Sequence, residues 1–244
     1  MSAHAGEGYN ERLFERGGLR QRYHLARYHW FERMMRAHAP GATRVVELGS
    51  FDAKTVDFMP NRPTRYVGLD ANWEGGLEIG RARFAGCPEI ELIETLSADA
   101  LDAYEEDTFE VAVALETLEH LPDRTLQEYL AGIARVTRDW FFISVPNEMG
   151  PVFAAKHLTK RLRYGSTELY TPAEFFNALL FRPERVTRDE HKGFDWRRLV
   201  EELRTHFDII SVSGVPPILL PPSLSLTVGI VARPRKDLAR RRKT

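Results

Sequence analysis

The 244-residue chain suits one large domain, or one domain with an inserted cap, and it can bury a substantial core. With 43% hydrophobic residues, 28% charged residues and a net charge of −1, the composition is that of a soluble globular protein, and whole-chain charge argues against a nucleic-acid partner. The lone Cys87 excludes an internal disulfide and any cysteine-based zinc cluster, and it fits a cytoplasmic address.

No apolar run approaches the ~20 residues of a membrane span, and residues 1–10 lack the apolar stretch of a signal peptide. Residues 19–38 read as a helix, with Leu19, Tyr23, Ala26, Trp30, Met34 and Ala37 at three- and four-residue spacing and Pro40-Gly41 as its stop. Strands are expected at 43–48, 64–70, 89–94, 109–115, 139–145, 207–213 and 225–232, with helices near 54–60, 74–83, 123–137 and 195–206. This alternation predicts an α/β fold with a mostly parallel sheet covered on both faces. The last two strands are joined without a helix and are expected to be antiparallel.

Residues 147–196 are too long for a simple crossover. They hold a helix near 151–160, a second helix opened by Thr171-Pro172 with Glu174 behind it, and a charged loop at 182–192. The stretch reads as a lid inserted after the fifth strand. Arg233, Arg235, Lys236, Arg240, Arg241, Arg242 and Lys243 crowd the C-terminus, so 235–244 reads as a solvated basic tail.

The segment Val45-Val46-Glu47-Leu48-Gly49-Ser50-Phe51-Asp52-Ala53-Lys54 runs an apolar strand into an acid, a glycine turn and then a helix. About twenty residues later, Tyr66-Val67-Gly68-Leu69-Asp70 ends a second strand in another carboxylate. A close-approach turn followed by a ribose-binding acid is how α/β folds hold an adenosine. The turn has one glycine where a pyrophosphate site needs three, which points away from a dinucleotide and towards S-adenosylmethionine.

VVELGS (45–50), YVGLD (66–70), SADAL (97–101), FEVAVALETLEHLPD (109–123) and FFISVPN (141–147) resemble, in order, the motifs of class I S-adenosylmethionine-dependent methyltransferases. The resemblance spans roughly residues 40–150. It implies a Rossmann-like sheet of seven strands with an antiparallel last hairpin, and an N-terminal helical segment (1–38) covering the cofactor. It places Glu47 near the methionine portion of the cofactor, Gly49 and Ser50 in the turn, and Asp70 with Ala71 at the ribose. Asp99 and Ala100 would face adenine, and Glu116 the same crevice. Family members carry further glycines where this chain has Phe51, Asp52 and Ala53, so Asp52 is expected to take over a backbone contact.

Glu116, Glu119 and His120 are spaced i, i+3, i+4 and would share one face of a helical turn that Pro122 keeps short. The pattern resembles the Glu-x-x-Glu-His of small-RNA 2′-O-methyltransferases and of ubiquinone-biosynthesis O-methyltransferases. That likeness implies a site for Mg²⁺ or Mn²⁺ made by Glu116, Glu119, His120 and His191, which could activate a diol. Two other readings stand beside it: His120 as a metal-free base with Glu119 next to it, or a structural turn. The expected acceptor is a hydroxylated small molecule, such as a sugar, catechol or lipid-linked precursor. An RNA ribose and a catalytically inactive cofactor-binding scaffold are the alternatives.

Overall fold

The computed structural model describes residues 18–165, 170–189, 192–216 and 221–236. His191 and the basic stretch 237–244 therefore lie outside the described residues. Seven strands form one sheet: β1 (Arg44–Leu48), β2 (Arg65–Asp70), β3 (Ile90–Glu94), β4 (Phe109–Leu115), β5 (Thr137–Pro146), β6 (Phe207–Val215) and β7 (Thr227–Pro234). Their spatial order is β3-β2-β1-β4-β5-β7-β6. The pairs among β1 to β5 are parallel, whereas β7 runs antiparallel to both β5 and β6. The order reverses beside β1, and in such sheets ligands bind at the carboxyl ends of the strands flanking that point.

Among the described residues six helices accompany the sheet: α1 (Gly18–His38), α2 (Gly76–Arg83), α3 (Asp123–Val136), α4 (Gly150–Tyr164), α5 (Pro172–Leu179) and α6 (Trp196–Leu203). The central strands are buried on both faces, which explains their nearly unbroken apolar runs. One face packs Val46, Leu48, Val67 and Leu69 against Leu126, Leu130 and Ile133 of α3 and Leu199 and Leu203 of α6. The other packs Val45, Val111, Val113 and Phe142 against Trp30, Phe31 and Met35 of α1. Ala37, part of the stripe expected from spacing, is exposed; the buried seam instead runs through Phe31 and Met35. Trp30 lies on Gly229, where a Cβ would come within 2.3 Å of its ring, and its indole N–H donates to Ser213 Oγ at 3.1 Å.

Two local expectations change. The helix expected at 54–60 is a 3₁₀ turn, Lys54–Phe58, which the chain enters from Ala53 in the left-handed conformation. The turn after β4 is also 3₁₀ and covers only Leu118–His120. Glu116 lies outside it with φ at 57°, so Glu116, Glu119 and His120 do not stack on one helical face.

Candidate functional site

A cavity of about 1020 Å³ opens at the carboxyl ends of β1, β2 and β4. Glu47, Gly49, Ser50, Asp70, Ala71, Glu116 and His120 all line it, so the structure gathers seven of the residues singled out from sequence. Asp52, Asp99, Ala100 and Glu119 are not among its lining residues.

The β1 turn keeps a glycine-like path without the glycines. Gly49 has φ at 74°, and Phe51 and Ala53 follow at 47° and 57°. A side chain in this region costs roughly 1–2 kcal/mol. Hydrogen bonds hold the path: Gly49 N–H and Ser50 N–H both donate to the Leu69 carbonyl, at 2.7 and 3.2 Å. Phe51 N–H donates to Asp70 Oδ2 at 2.8 Å. Gly49 is required by the protein itself, since a Cβ there would stand 2.1 Å from Thr117 Oγ1. Phe51 turns onto Gly76, where an added Cβ would meet its ring at 2.3 Å. Asp52 is buried and accepts from Lys54 N–H at 3.2 Å, a local turn contact.

Asp70 is fixed from both sides. Besides Phe51, it receives Asn72 N–H on Oδ1 at 2.7 Å. Each oxygen keeps a further lone pair, which suits a carboxylate that accepts a vicinal diol. Glu47 is buried, accepting from Thr55 Oγ1 at 2.5 Å and from the Tyr66 hydroxyl. Burial pushes its carboxyl up to about 8 against the pull of those two donors. Ser50 Oγ is buried beside the cavity without a hydrogen-bond partner.

Helix α1 contributes a wall that the sequence only hinted at. Tyr23 and Arg27, and His24 and Tyr28, stand one helical turn apart and line the cavity. Arg27 lies 5.1 Å over the Tyr28 ring, and Tyr28 stacks on Phe58 at 5.0 Å. His29 is exposed and pairs with Glu32 at 3.7 Å, away from the cavity wall. On the far side, Lys156 of α4 forms a buried ion pair with Glu148. Burial works against the Lys156 charge, but Glu148, Tyr23 and Glu116 together outweigh it and hold the ammonium above its ordinary range. Arg27 and Lys156 also flank Glu116, whose carboxyl burial pushes upward while these two cations oppose it. Glu116 N–H is pinned to the Ser144 carbonyl at 2.8 Å, which fixes its left-handed backbone at the end of β4. Arg27 and Lys156 carried no sequence motif; helical spacing from Tyr23 is the signal that could have found Arg27.

His120 lines the cavity with its side chain 36% exposed. Glu119 points the other way. Its side chain is wholly buried, neither carboxylate oxygen has a hydrogen-bond partner, and Oε1 stands 3.9 Å from His120 Nε2. Burial, then Glu116, pushes its carboxyl far above the ordinary range. The expected Mg²⁺ or Mn²⁺ site is not supported: among the described residues no three carboxylate, imidazole or thiol groups converge to hold a metal, and His191 lies outside them. The reason is the 3₁₀ turn, which sends Glu119 inward while Glu116 and His120 face the cavity.

Asp99 is exposed, and Ser97 Oγ accepts its N–H at 3.2 Å as a cap. It lies near enough to Tyr129, a lining residue, to help raise that phenol after burial has done so. Thr95 and Leu96 line the cavity where Asp99 and Ala100 were expected.

No family model matches the sequence, and no curated protein matches it. Solved structures do match in fold. The PH0226 protein of Pyrococcus horikoshii OT3 aligns with a TM-score of 0.60 at 14% identity, covering 94% of this chain and 100% of that one. The methyltransferase domain of bacterial CtHen1 aligns at 0.54 and 13% identity, covering 86% and 99%. The N-methyltransferase NodS of Bradyrhizobium japonicum WM9, in complex with S-adenosyl-L-homocysteine, aligns at 0.52 and 10% identity, covering 85% and 86%. The chain has the Rossmann-like fold of S-adenosylmethionine-dependent methyltransferases, with the sheet order β3-β2-β1-β4-β5-β7-β6 and the antiparallel last hairpin.

Proposed function

We propose that this chain is an S-adenosylmethionine-dependent methyltransferase acting on a hydroxyl of a small molecule. The observation that carries this is one cavity at the switch point of the sheet, with Asp70 and the Gly49-Ser50 turn on one side and Glu116 and His120 on another. The residues present fit the cofactor: Asp70 offers two oriented oxygens to a ribose diol, and Ser50 Oγ is a buried polar atom awaiting a partner. Glu47, Asp70, Ala71 and Tyr28 would hold it, and Arg27 offers a cation on the same wall. When bound, S-adenosylmethionine supplies an electrophilic methyl group. The chain's own part is then to orient the acceptor and remove its proton.

His120 is the group placed for proton removal, being a titratable side chain on the cavity wall. Glu119 lies behind it at 3.9 Å, with its carboxyl held towards the neutral form by burial and by Glu116. Glu116, Glu148, Lys156 and Tyr23 present both charge signs and a phenol, a surface suited to orienting hydroxyl groups. The test is transfer of a labelled methyl group to a panel of catechols and sugars. Replacing His120 by Ala should lower kcat about 10²–10⁴-fold. An unchanged rate would remove His120 from the reaction, and no transfer to any acceptor would leave a binding scaffold.

A further inference from the structure

The inner faces of α4 and α5 are fully used. Met149, Phe153, Ala178 and Val186 form a small core of their own, and the rings of Tyr170 and Phe175 lie 4.8 and 5.7 Å from Phe153. Their outer faces are also apolar. Leu158 and Leu162, one turn apart on α4, are 55% and 79% exposed. Phe176 and Leu180 repeat that spacing on α5 and just beyond it, 59% and 57% exposed, and Phe181 follows.

Charge accompanies this surface. Helix α4 contains no carboxylate, and its Lys156 is turned to Glu148 on the cavity side. Arg161 is exposed, as are Arg182 and Arg185 after α5, against the single exposed carboxylate Glu184 between those two. Glu174 of α5 is already taken by Thr171 N–H, Thr187 N–H and Lys192 Nζ.

We propose that the outer face of α4 and α5 seats this protein on an anionic lipid surface. Exposed leucine and phenylalanine ridges flanked by cations are what a helix lying in the membrane interface presents. A nucleic-acid face would use the cations but leave the leucines without purpose. A second copy would cover the leucines, yet two-fold pairing on α4 would set Arg161 against its own copy. No helix among the described residues is long and apolar enough to cross a membrane, so the contact is with the surface only. Lys156 joins the same helix to the cavity wall, which puts the docked face and the cavity on one element. The docking rests on this surface and stands whether or not methyl transfer is the reaction.

Sedimentation of the full chain with vesicles of phosphatidylcholine, with and without phosphatidylglycerol, tests it. Binding is expected only with phosphatidylglycerol present and should weaken as salt rises. The double variant Leu158→Ser with Leu162→Ser should bind about tenfold more weakly, since it removes the inserted apolar groups. It changes no charge, so the basic C-terminus contributes equally to both proteins. Because both leucines are exposed, its melting temperature should equal that of the parent. Undiminished vesicle binding by the double variant would overturn the proposal. So would a dimer in light scattering that the double variant dissolves, or RNA binding in a protein that ignores anionic vesicles.

Discussion

Glu47 and Asp70 end neighbouring parallel strands, yet their surroundings give them different chemistry. Asp70 is held by two backbone N–H groups, whereas Glu47 is buried under Thr55 and Tyr66 with its carboxyl raised from 4.5 to about 8. A carboxyl raised on folding stabilises the fold below its unfolded value and loses that contribution as pH climbs through the folded value. The ligand-free protein should therefore lose stability between about pH 4.5 and about pH 8. Glu47→Gln, which imitates the neutral acid, should flatten that loss in denaturant titrations; an unchanged slope would place the effect elsewhere. Gly49 offers a second check. Gly49→Ala must accept φ at 74° and a contact of 2.1 Å with Thr117, costing roughly 2–5 kcal/mol. Thr117→Ala should recover part of that cost in a double-variant melt. The glycine was legible in the sequence, but its physical reason was not, because Thr117 reaches it only through the β1–β4 pairing. The same holds for Arg27 and Lys156, which meet Glu116 from two helices far apart in the chain.

Elements were legible where a pattern repeats. Period-two and continuous apolar runs located all seven strands to within two residues, and burial of the central strands on both faces demands the continuous ones. Thr171-Pro172 with Glu174 announced α5, and the structure contains the full capping box. Thr171→Ala should cost about 1 kcal/mol locally, read as faster amide exchange across 172–179 with little change in the rest of the chain. Short turns were not legible. The i, i+3, i+4 spacing of Glu116, Glu119 and His120 assumes an α-helical path, whereas a left-handed residue followed by a single 3₁₀ turn separates them. Glu119 thereby becomes a buried neighbour of His120. Because burial holds its carboxyl towards the neutral form, Glu119→Gln should leave the pH–rate profile of His120 in place. A profile displaced towards lower pH would show an ionised carboxylate beside the imidazole.

At the scale of the molecule, the strand order gathers segments that the sequence scatters. The β1 turn, Asp70, Glu116 with His120, and the charged wall from α1 and α4 surround one cavity at the switch point. The lining at 45–50 and 66–70 could be read from the motifs, because a strand-end turn and a strand-end carboxylate follow a fixed pattern in α/β sheets. The lining from α1 and α4 could not, since those helices carry a spacing that encodes packing first. Asp99 shows the boundary between the two: its motif was visible, but the fold leaves it exposed beside Tyr129, while Thr95 and Leu96 line the cavity. The central claim is that this cavity holds the methyl donor through Asp70, and titration calorimetry with S-adenosylhomocysteine tests it most directly. The full chain should bind one equivalent and Asp70→Ala should bind at least about tenfold more weakly, the loss of a charge-assisted pair of hydrogen bonds. No binding to the full chain, or equal binding to both proteins, would contradict it.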